Sequence, residues 1–122
     1  MSERFFDTNI VIDVLHNRPM AWAELRLATR PWISRMTWIE VMSGVPDDAA
    51  SETEEFLRLF AIAEIDEEVA RRAAAIRHQR RSLKSPDAII LASAQMRGRI
   101  LVTRNTKDFP AELPGIRIPY TV

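Results

Sequence analysis

The chain has 122 residues, the usual size of one domain, so we expect a single domain over residues 1–122. Lys plus Arg and Asp plus Glu each number 17, and 47% of the residues are hydrophobic, a composition typical of folded chains that excludes intrinsic disorder. Because cysteine is absent, a disulfide scaffold, a thiolate metal site and a cysteine nucleophile are excluded, and we expect a reducing compartment, the cytoplasm.

Other function classes are excluded by the distribution of charge and histidine. The longest run without a charged residue spans nine residues, 88–96, well short of the ~20 apolar residues of a membrane-spanning helix. With two histidines in the chain, a three-histidine zinc site is impossible, and any metal must be held mostly by oxygen ligands, which favours Mg²⁺ or Mn²⁺. A net charge of zero gives no general attraction for nucleic acid, so such a partner would need a local basic patch or a metal.

Hydrophobic spacing and turn residues predict short strands that alternate with helices. Pro31 is expected to end the second helix and Gly44 the third, while Asp66 caps the fifth and Pro86 opens the sixth. This alternation is typical of a parallel sheet with helices on both faces, so we predict an α/β fold. The predicted strands are 4–6, 32–34, 61–65, 99–103 and 116–118. The predicted helices begin at residue 10, cover 20–30 and 37–43, run from 47 or 51 to 60, cover 66–80, and begin again at residue 85.

Four acidic residues fall where this topology places a binding site, beyond the carboxyl ends of the strands. Asp7 directly follows the first strand, and Glu40 lies about one turn into the helix after the second strand. Asp87 lies in the first turn of a helix that a short connection joins to the strand at 99, so this helix begins at the same edge. Asp108 lies five residues beyond Thr103, in the loop that leaves this edge. The four carboxylates therefore converge by topology.

Clustered carboxylates repel one another, and a divalent cation is the simplest compensating partner. An oxygen-only cluster of acids with the neutral Asn9 suits Mg²⁺ or Mn²⁺, which bridge protein carboxylates to substrate phosphates. The sequence therefore predicts phosphodiester hydrolysis, with Thr8, Thr103 and Arg104 orienting ligands or phosphate.

Other acidic residues have simpler interpretations. Any Asp in the first turn of a helix, Asp87 included, is stabilised by the helix dipole whatever its function. Asp66 is expected to be only an N-cap, about 10 Å from the first strand if the third strand is outermost. Asp13, Asp47 and Asp48 are expected to be solvated, because the first lies nearly two turns into its helix and the others follow a Gly-Val-Pro loop.

A basic cluster precedes Asp87 in the sequence: Arg77, Arg80, Arg81 and Lys84. Their spacing of i, i+3, i+4 and i+7 suits contact with RNA phosphates. Cations are also favoured at a helix C-terminus, so the cluster is equally interpreted as the solvated end of the 66–80 helix. Its last two members and Arg104 are the candidate contacts to RNA phosphate.

Four segments resemble, in order and spacing, the PIN-domain ribonucleases, and most closely the VapC-type toxins of toxin–antitoxin pairs. They are FFDTNIVIDVL at 5–15, WIEVMSG at 38–44, SPDAIILASA at 85–94 and LVTRNTKDF at 101–109. The resemblance covers essentially the whole chain, and four short motifs in the right order are fairly specific.

The resemblance implies a three-layer α/β/α sandwich with a central parallel sheet of four to five strands. It also implies an Mg²⁺- or Mn²⁺-dependent endoribonuclease that frequently forms homodimers and is inhibited by a cognate antitoxin. By motif, Asp7, Glu40 and Asp87 match three acidic metal-site positions, and Asp108 matches the fourth.

The polar residues around these acids also match the family pattern, with one departure. Thr8, Asn9 and Thr103 match the positions that support the acidic cluster. Some PIN relatives carry an acid where this chain has Asn105, so the fourth acidic role could be divided between Asn105 and Asp108. One-metal and two-metal binding both remain open.

Two other functions compete with the nuclease. A Mg²⁺-dependent phosphatase of the haloacid-dehalogenase type would need a second Asp two residues after the first, where this chain has Asn9. A catalytically idle interaction subunit on the same fold is the main alternative without enzyme activity, but the retained polar site positions argue against it.

Overall fold

Strands and helices alternate along the chain as the hydrophobic pattern predicts. The computed structural model describes residues 3–110 and 112–121. Its strands are β1 (Arg4–Phe6), β2 (Trp32–Ser34), β3 (Ala61–Ala63), β4 (Ile100–Val102) and β5 (Ile116–Arg117). Its helices are α1 (Thr8–Leu15), α2 (Pro19–Arg26), α3 (Arg35–Ser43), α4 (Ala50–Leu57), α5 (Glu67–Gln79) and α6 (Ser85–Met96), with a 3-10 turn at Asp47–Ala49 before α4.

All five strands are parallel and lie in the order β3-β2-β1-β4-β5. In the central strand, Phe5 pairs with Trp32 on one side and with Leu101 on the other. Because the strands are parallel, the carboxyl ends of β1, β2 and β4 meet at one edge of the sheet. That edge brings together Asp7 after β1, the start of α3 after β2, and Thr103 after β4.

Two hydrophobic cores lie on the two faces of the sheet, because side-chain direction alternates along each strand. Burying such side chains contributes about 1.5–3 kcal/mol each, so the two cores together hold the central strands in place. Beneath α5 and α6 the sheet buries Phe5, Trp32 and Leu101. Beneath α1 to α4 it buries Phe6, Ile33 and Val102. The predicted three-layer α/β/α sandwich is confirmed.

The turn from α6 into β4 explains why α6 begins at the carboxyl edge. Gly98 has a φ of 63°, and its N–H donates to the Gln95 carbonyl, while the Arg99 N–H donates to the Ala94 carbonyl. These two bonds form a Schellman C-cap, in which a positive φ favours glycine. Since the connection is this short, the other end of α6 returns to the edge that carries Asp7.

The predicted elements are confirmed, but some of their ends shift. The second helix ends at Arg26 rather than at residue 30, and its end tightens into i→i+3 bonds, since the Leu27 and Ala28 N–H groups donate to the Glu24 and Leu25 carbonyls. The third strand ends at Ala63 rather than at residue 65, because its partner strand ends opposite it, at Ser34.

The longest helix in the described parts of the chain is α5, with 13 residues. Among residues 3–110 and 112–121, no helix combines the length and hydrophobicity needed to span a membrane.

Candidate functional site

Asp7 lies at the centre of the candidate site, where β1 passes into α1. It is the N-cap of α1 with extended backbone angles, and its Oδ1 accepts a hydrogen bond from the Thr8 N–H at 2.8 Å. Its Oδ2 accepts a hydrogen bond from Thr103 Oγ1 at 2.6 Å, across the junction of β1 and β4. Only 3% of Asp7 is exposed, so this carboxylate is held in one orientation inside the protein.

The environment of Asp7 opposes its negative charge. Burial is the main cause that raises its pKa to about 6, and the nearby charges of Asp87 and Glu40 raise it further. The hydrogen bonds from Thr103 and Thr8 lower the pKa, but they do not outweigh burial. No salt bridge among the described residues involves Asp7. The carboxylate therefore has neutral donors but no cationic partner.

Glu40 reaches the same edge from the second turn of α3. Its Oε1 accepts a hydrogen bond from Thr8 Oγ1 at 2.6 Å, and Thr8 Oγ1 also lies 3.0 Å from Thr37 Oγ1. Thr37 is fully buried, and it was not predicted from the sequence as a site residue. Its position three residues before Glu40, on the same helix face, is the signal that could have identified it. The two threonines position one oxygen of Glu40 and leave the other without a partner among the described residues.

Asp87 and Asp108 complete the acidic cluster. Burial is the main cause that raises the pKa of Asp87, followed by the charges of Asp108 and Glu40, while Lys84 lowers it. These effects place Asp87 within electrostatic reach of Asp7, Glu40 and Asp108, and Asp7 within reach of Glu40. Asp87 therefore links Asp108 to the other two acids, and the assignment of the four acids to one site stays a prediction.

Asn105 holds Asp108 in place. Its Nδ2 donates to Asp108 Oδ2 at 3.0 Å, and its Oδ1 accepts from the Asp108 N–H at 3.2 Å. The Asn105 N–H donates to Thr103 Oγ1 at 3.0 Å, and Thr103 in turn donates to Asp7. In this arrangement the neutral amide supports the acid rather than replacing it.

The four acids fit a hard divalent cation by their chemistry, because they supply only oxygen donors and none of them forms a salt bridge among the described residues. Within residues 3–110 and 112–121, however, no three acidic or histidine side chains converge on one ion position. Cation binding therefore requires side-chain rotation within the cluster. Asp7 is already oriented by its two donors, and the remaining acids are the ones that would turn toward an ion.

The prediction that Asp13 is solvated is wrong. It is 1% exposed, and it accepts hydrogen bonds from Arg104 Nε and Nη2 at 2.8 and 3.2 Å and from the Tyr120 hydroxyl at 2.8 Å. Burial alone would raise its pKa, but the bonds from Arg104 and Tyr120 hold the pKa of Asp13 below its usual value. Position within α1 gives no signal of this burial, because both partners come from the far end of the chain.

The other acidic residues behave as expected. Asp66 is the N-cap of α5, where its Oδ1 accepts from the Val69 N–H at 2.9 Å. Asp47 and Asp48 are exposed in the 3-10 turn before α4.

The basic cluster divides into two kinds of residue. Arg77 Nε donates to the Leu83 carbonyl at 2.8 Å, and Arg80 Nη2 donates to the Asp108 carbonyl, so these two side chains support loops. Arg81 and Lys84 are exposed, and the first lies 3.5 Å from His78 Nδ1. These two remain available for phosphate.

The remaining predicted site residues belong to the connection between α1 and the segment after β4. Asn9 Oδ1 accepts from the Arg104 N–H at 3.4 Å, so it supports that segment rather than an acid. Arg104 directs two of its guanidinium nitrogens to Asp13. Its contact with RNA phosphate stays a prediction.

Comparisons with known proteins agree with this geometry. The model of the PIN domain matches residues 4–111. A structure described as a toxin–antitoxin complex from Klebsiella pneumoniae contains a chain 43% identical to this one, with a TM-score of 0.91 over 98% of this chain and 100% of that one. A DNA-bound VapBC structure from Salmonella typhimurium contains a chain 26% identical, with a TM-score of 0.77 over 97% of each chain. The FitAcB structure from Neisseria gonorrhoeae, at 24% identity and a TM-score of 0.79 over 98% of this chain and 99% of that one, shows the shared fold. No curated protein matches the chain.

These matches cover nearly the whole chain, including each segment that carries one of the four acids. Members of the matched family are nucleases. The predicted resemblance to VapC-type toxins is confirmed, and the chain belongs to the PIN domain family.

Proposed function

We propose that this protein is a metal-dependent endoribonuclease that acts as the toxin of a toxin–antitoxin pair. The observation that carries the proposal is the buried Asp7, whose pKa is raised to about 6 among three further acids without a cationic partner in the described chain. Perturbed carboxylates of this kind are typical of sites where a positive partner arrives with the substrate or cofactor. The membership in a nuclease family supports the same interpretation.

The proposed ligands of Mg²⁺ or Mn²⁺ are Asp7, Asp87 and Asp108, with Glu40 as a further ligand or as the residue that orients the attacking water. A bound divalent cation would lower the pKa of water and stabilise charge on the phosphate. Thr103 and the Thr8 N–H hold both oxygens of Asp7 in a fixed direction. Because Thr8 occupies only Oε1 of Glu40, the other oxygen is available to accept a proton from water.

Arg81 and Lys84 are the proposed contacts to RNA phosphate beside the acids, with Arg104 as a third candidate. Lys84 is the N-cap residue of α6 and lowers the pKa of Asp87, so its charge acts within the site. A cation at this place would reduce the repulsion between the acidic cluster and the RNA backbone.

A cognate antitoxin is the proposed protein partner. The similar chain from Klebsiella pneumoniae lies in a toxin–antitoxin complex. An Arg or Lys of the antitoxin, placed among the four acids, would compensate their charge in the inhibited state. A structure of the native complex tests this, since an antitoxin bound only at the opposite edge of the sheet would contradict it.

We propose further that the toxin is a homodimer and that it acts in the cytoplasm as a single nuclease domain over residues 1–122. These proposals derive from the resemblance and, for the cytoplasm, from the absence of cysteine. Light scattering of the antitoxin-free chain measures the oligomeric state, and a monomeric mass would contradict the dimer.

The decisive experiment is an RNA cleavage assay on the chain separated from its antitoxin. Endonucleolytic products should appear with Mg²⁺ or Mn²⁺ and disappear with EDTA, and they should return when the metal is restored. If the folded chain cleaves RNA equally in EDTA, the metal mechanism is wrong. If it leaves RNA intact with either metal, it is the idle interaction subunit.

A further inference from the structure

Residues 103–108, which we call the site loop, carry several parts of the proposed site on one short segment. Thr103 orients Asp7, Asn105 orients Asp108, and Asp108 is itself a proposed ligand. The site loop follows β4, whereas Asp7 caps α1. The position of the loop relative to Asp7 therefore depends on contacts between the loop and α1. These contacts determine how the loop, and Asp108 with it, lies against α1.

An ion pair between the half-buried Arg104 and the buried Asp13 connects the site loop to α1 at a second point. Arg104, next to Thr103, donates Nε and Nη2 to the two oxygens of Asp13 at 2.8 and 3.2 Å. A fork of this kind fixes direction as well as distance. Asp13 lies six residues after Asp7, about 9 Å along the helix, so the loop is attached to α1 at two separated points. Two such attachments restrain both the distance and the rotation of the loop.

Further contacts hold the two ends of this attachment. The Tyr120 hydroxyl donates to Asp13 Oδ2 at 2.8 Å, and Arg18 Nε lies 3.4 Å from Asp13 Oδ1. At the other end of the site loop, Arg80 Nη2 donates to the Asp108 carbonyl. Asp13 is therefore a buried anchor with two hydrogen-bond donors, Arg104 and Tyr120, and a further ion pair with Arg18.

We propose that Arg104 is a positioning residue, whose ion pair with Asp13, reinforced by Tyr120, holds the site loop against α1, so that Thr103 stays on Asp7 and Asp108 stays at the acidic cluster. The effect on the metal rests on the function proposed above, while the effect on the loop does not. Groups that orient ligands in this way typically change metal affinity by about 10- to 100-fold when they are removed.

The chain contains a control of the same chemistry whose side chains lie outside the site loop, although the Arg117 carbonyl accepts from the Thr103 N–H, a backbone bond that the substitution leaves in place. Arg117 donates Nε and Nη2 to the two oxygens of Glu24 at 2.6 and 3.0 Å, and Glu24 is 4% exposed. Arg104→Lys and Arg117→Lys therefore each replace a fork on a buried carboxylate with a single ammonium group. Tyr120→Phe provides a milder change that removes one hydroxyl and keeps the ring.

The experiment measures amide hydrogen exchange of residues 103–110 in EDTA and the Mn²⁺ concentration at half-maximal thermal stabilisation. Arg104→Lys should speed exchange in the site loop about tenfold, because local opening becomes easier. It should also raise the Mn²⁺ midpoint about tenfold. Tyr120→Phe should raise the loop exchange rate and the Mn²⁺ midpoint by smaller factors. Arg117→Lys should lower the melting temperature but leave the loop exchange rate and the Mn²⁺ midpoint near their native values.

Two results would overturn the inference. One is unchanged loop exchange in both Arg104→Lys and Tyr120→Phe. The other is faster loop exchange in Arg104→Lys without a specific change in metal binding. In that case the Mn²⁺ midpoint of Arg104→Lys is either native or shifted no more than that of Arg117→Lys, and the role of Arg104 is structural only. If the native chain gives no Mn²⁺ response at all, the proposed metal site fails, and loop exchange alone then decides whether Arg104 positions the loop.

Discussion

Asp7 and Asp13 are buried carboxylates six residues apart at the two ends of α1, and they have opposite environments. Asp7 receives hydrogen bonds from a backbone N–H and a hydroxyl, and its pKa is raised to about 6. Asp13 receives a guanidinium fork and a phenol, and its pKa is lowered. Both are closed to solvent, but Asp7 lies deeper in the protein, and Arg104 is paired with Asp13 while it reaches Asp7 only through a weaker electrostatic interaction. Depth of burial and the placement of positive charge together account for the difference.

The comparison separates a carboxylate that the protein compensates from one that it leaves without a counter-charge. A buried charge is stable when the protein itself compensates it, as Arg104 does for Asp13 and Arg117 does for Glu24. At Asp7 the protein supplies only neutral donors and places further acids nearby. This arrangement is unfavourable for folding, and the cation proposed above would compensate it.

The largest expected effect is on catalysis. Asp7→Asn keeps the size of the side chain but removes its charge, so RNA cleavage in Mn²⁺ should fall by orders of magnitude while the fold is retained. Cleavage is measured on the antitoxin-free variant, and circular dichroism checks its fold. Asp48→Asn, which changes an exposed acid in the 3-10 turn, should cleave at the native rate. Native activity in folded Asp7→Asn would show that Asp7 takes no part in the reaction.

Asp13→Asn should instead act mainly on stability. The substitution leaves the half-buried Arg104 without its counter-charge, and breaking such a pair costs about 3 kcal/mol of unfolding free energy. Urea denaturation measures this loss, and Asp48→Asn should stay within about 0.5 kcal/mol of the native value. If Asp13→Asn were as stable as the native chain, the contrast between the two carboxylates would be wrong.

The two carboxylates should change the free energy of unfolding in opposite directions as the pH rises: Asp13, with its lowered pKa, should raise it, and Asp7 should lower it. The folded pKa of Asp7, about 6, lies above the unfolded value, so the folded state binds more protons between pH 4 and pH 6 and loses stability as the pH rises. In EDTA at pH 8, Asp7→Asn should be more stable than the native chain by up to about 3 kcal/mol, and this gain should vanish near pH 4. Thermal denaturation across this range measures it, and a pH-independent difference would contradict the raised pKa.

Tyr120→Phe should have the smallest effect, a loss of about 1 kcal/mol, because it removes one hydrogen bond to a carboxylate that keeps the Arg104 fork. The same denaturation measurement applies. A loss as large as that of Asp13→Asn would mean that the phenol, rather than the guanidinium, compensates the buried charge.

The acidic cluster could be located from the sequence because it depends on topology. Asp7 follows a strand, and Asp87 begins a helix that a short turn joins to the next strand, so both positions are set by the order of elements. The resemblance of the motifs strengthened the same assignment. The fold is confirmed on both arguments, and the assignment of the four acids to one site stays a prediction.

The network around Asp13 could not be located in this way. Its partners, Arg104 and Tyr120, are 91 and 107 residues away in sequence, and no periodic pattern relates them to α1. Side-chain contacts of this range depend on packing rather than on element order. For the same reason the sequence left the role of Arg80 open, although this residue supports the Asp108 carbonyl.

The central claim is that the carboxylate without a cationic partner belongs to a metal site, whereas the compensated ones do not. The most direct test is the shift in melting temperature on adding Mn²⁺ to the native chain, Asp7→Asn and Glu24→Gln. At an Mn²⁺ concentration about 100 times its Kd, the native chain should gain about 2.7 kcal/mol. Glu24→Gln should gain as much from its lower starting point, and Asp7→Asn should gain little or nothing. Equal gains in all three proteins would contradict the account.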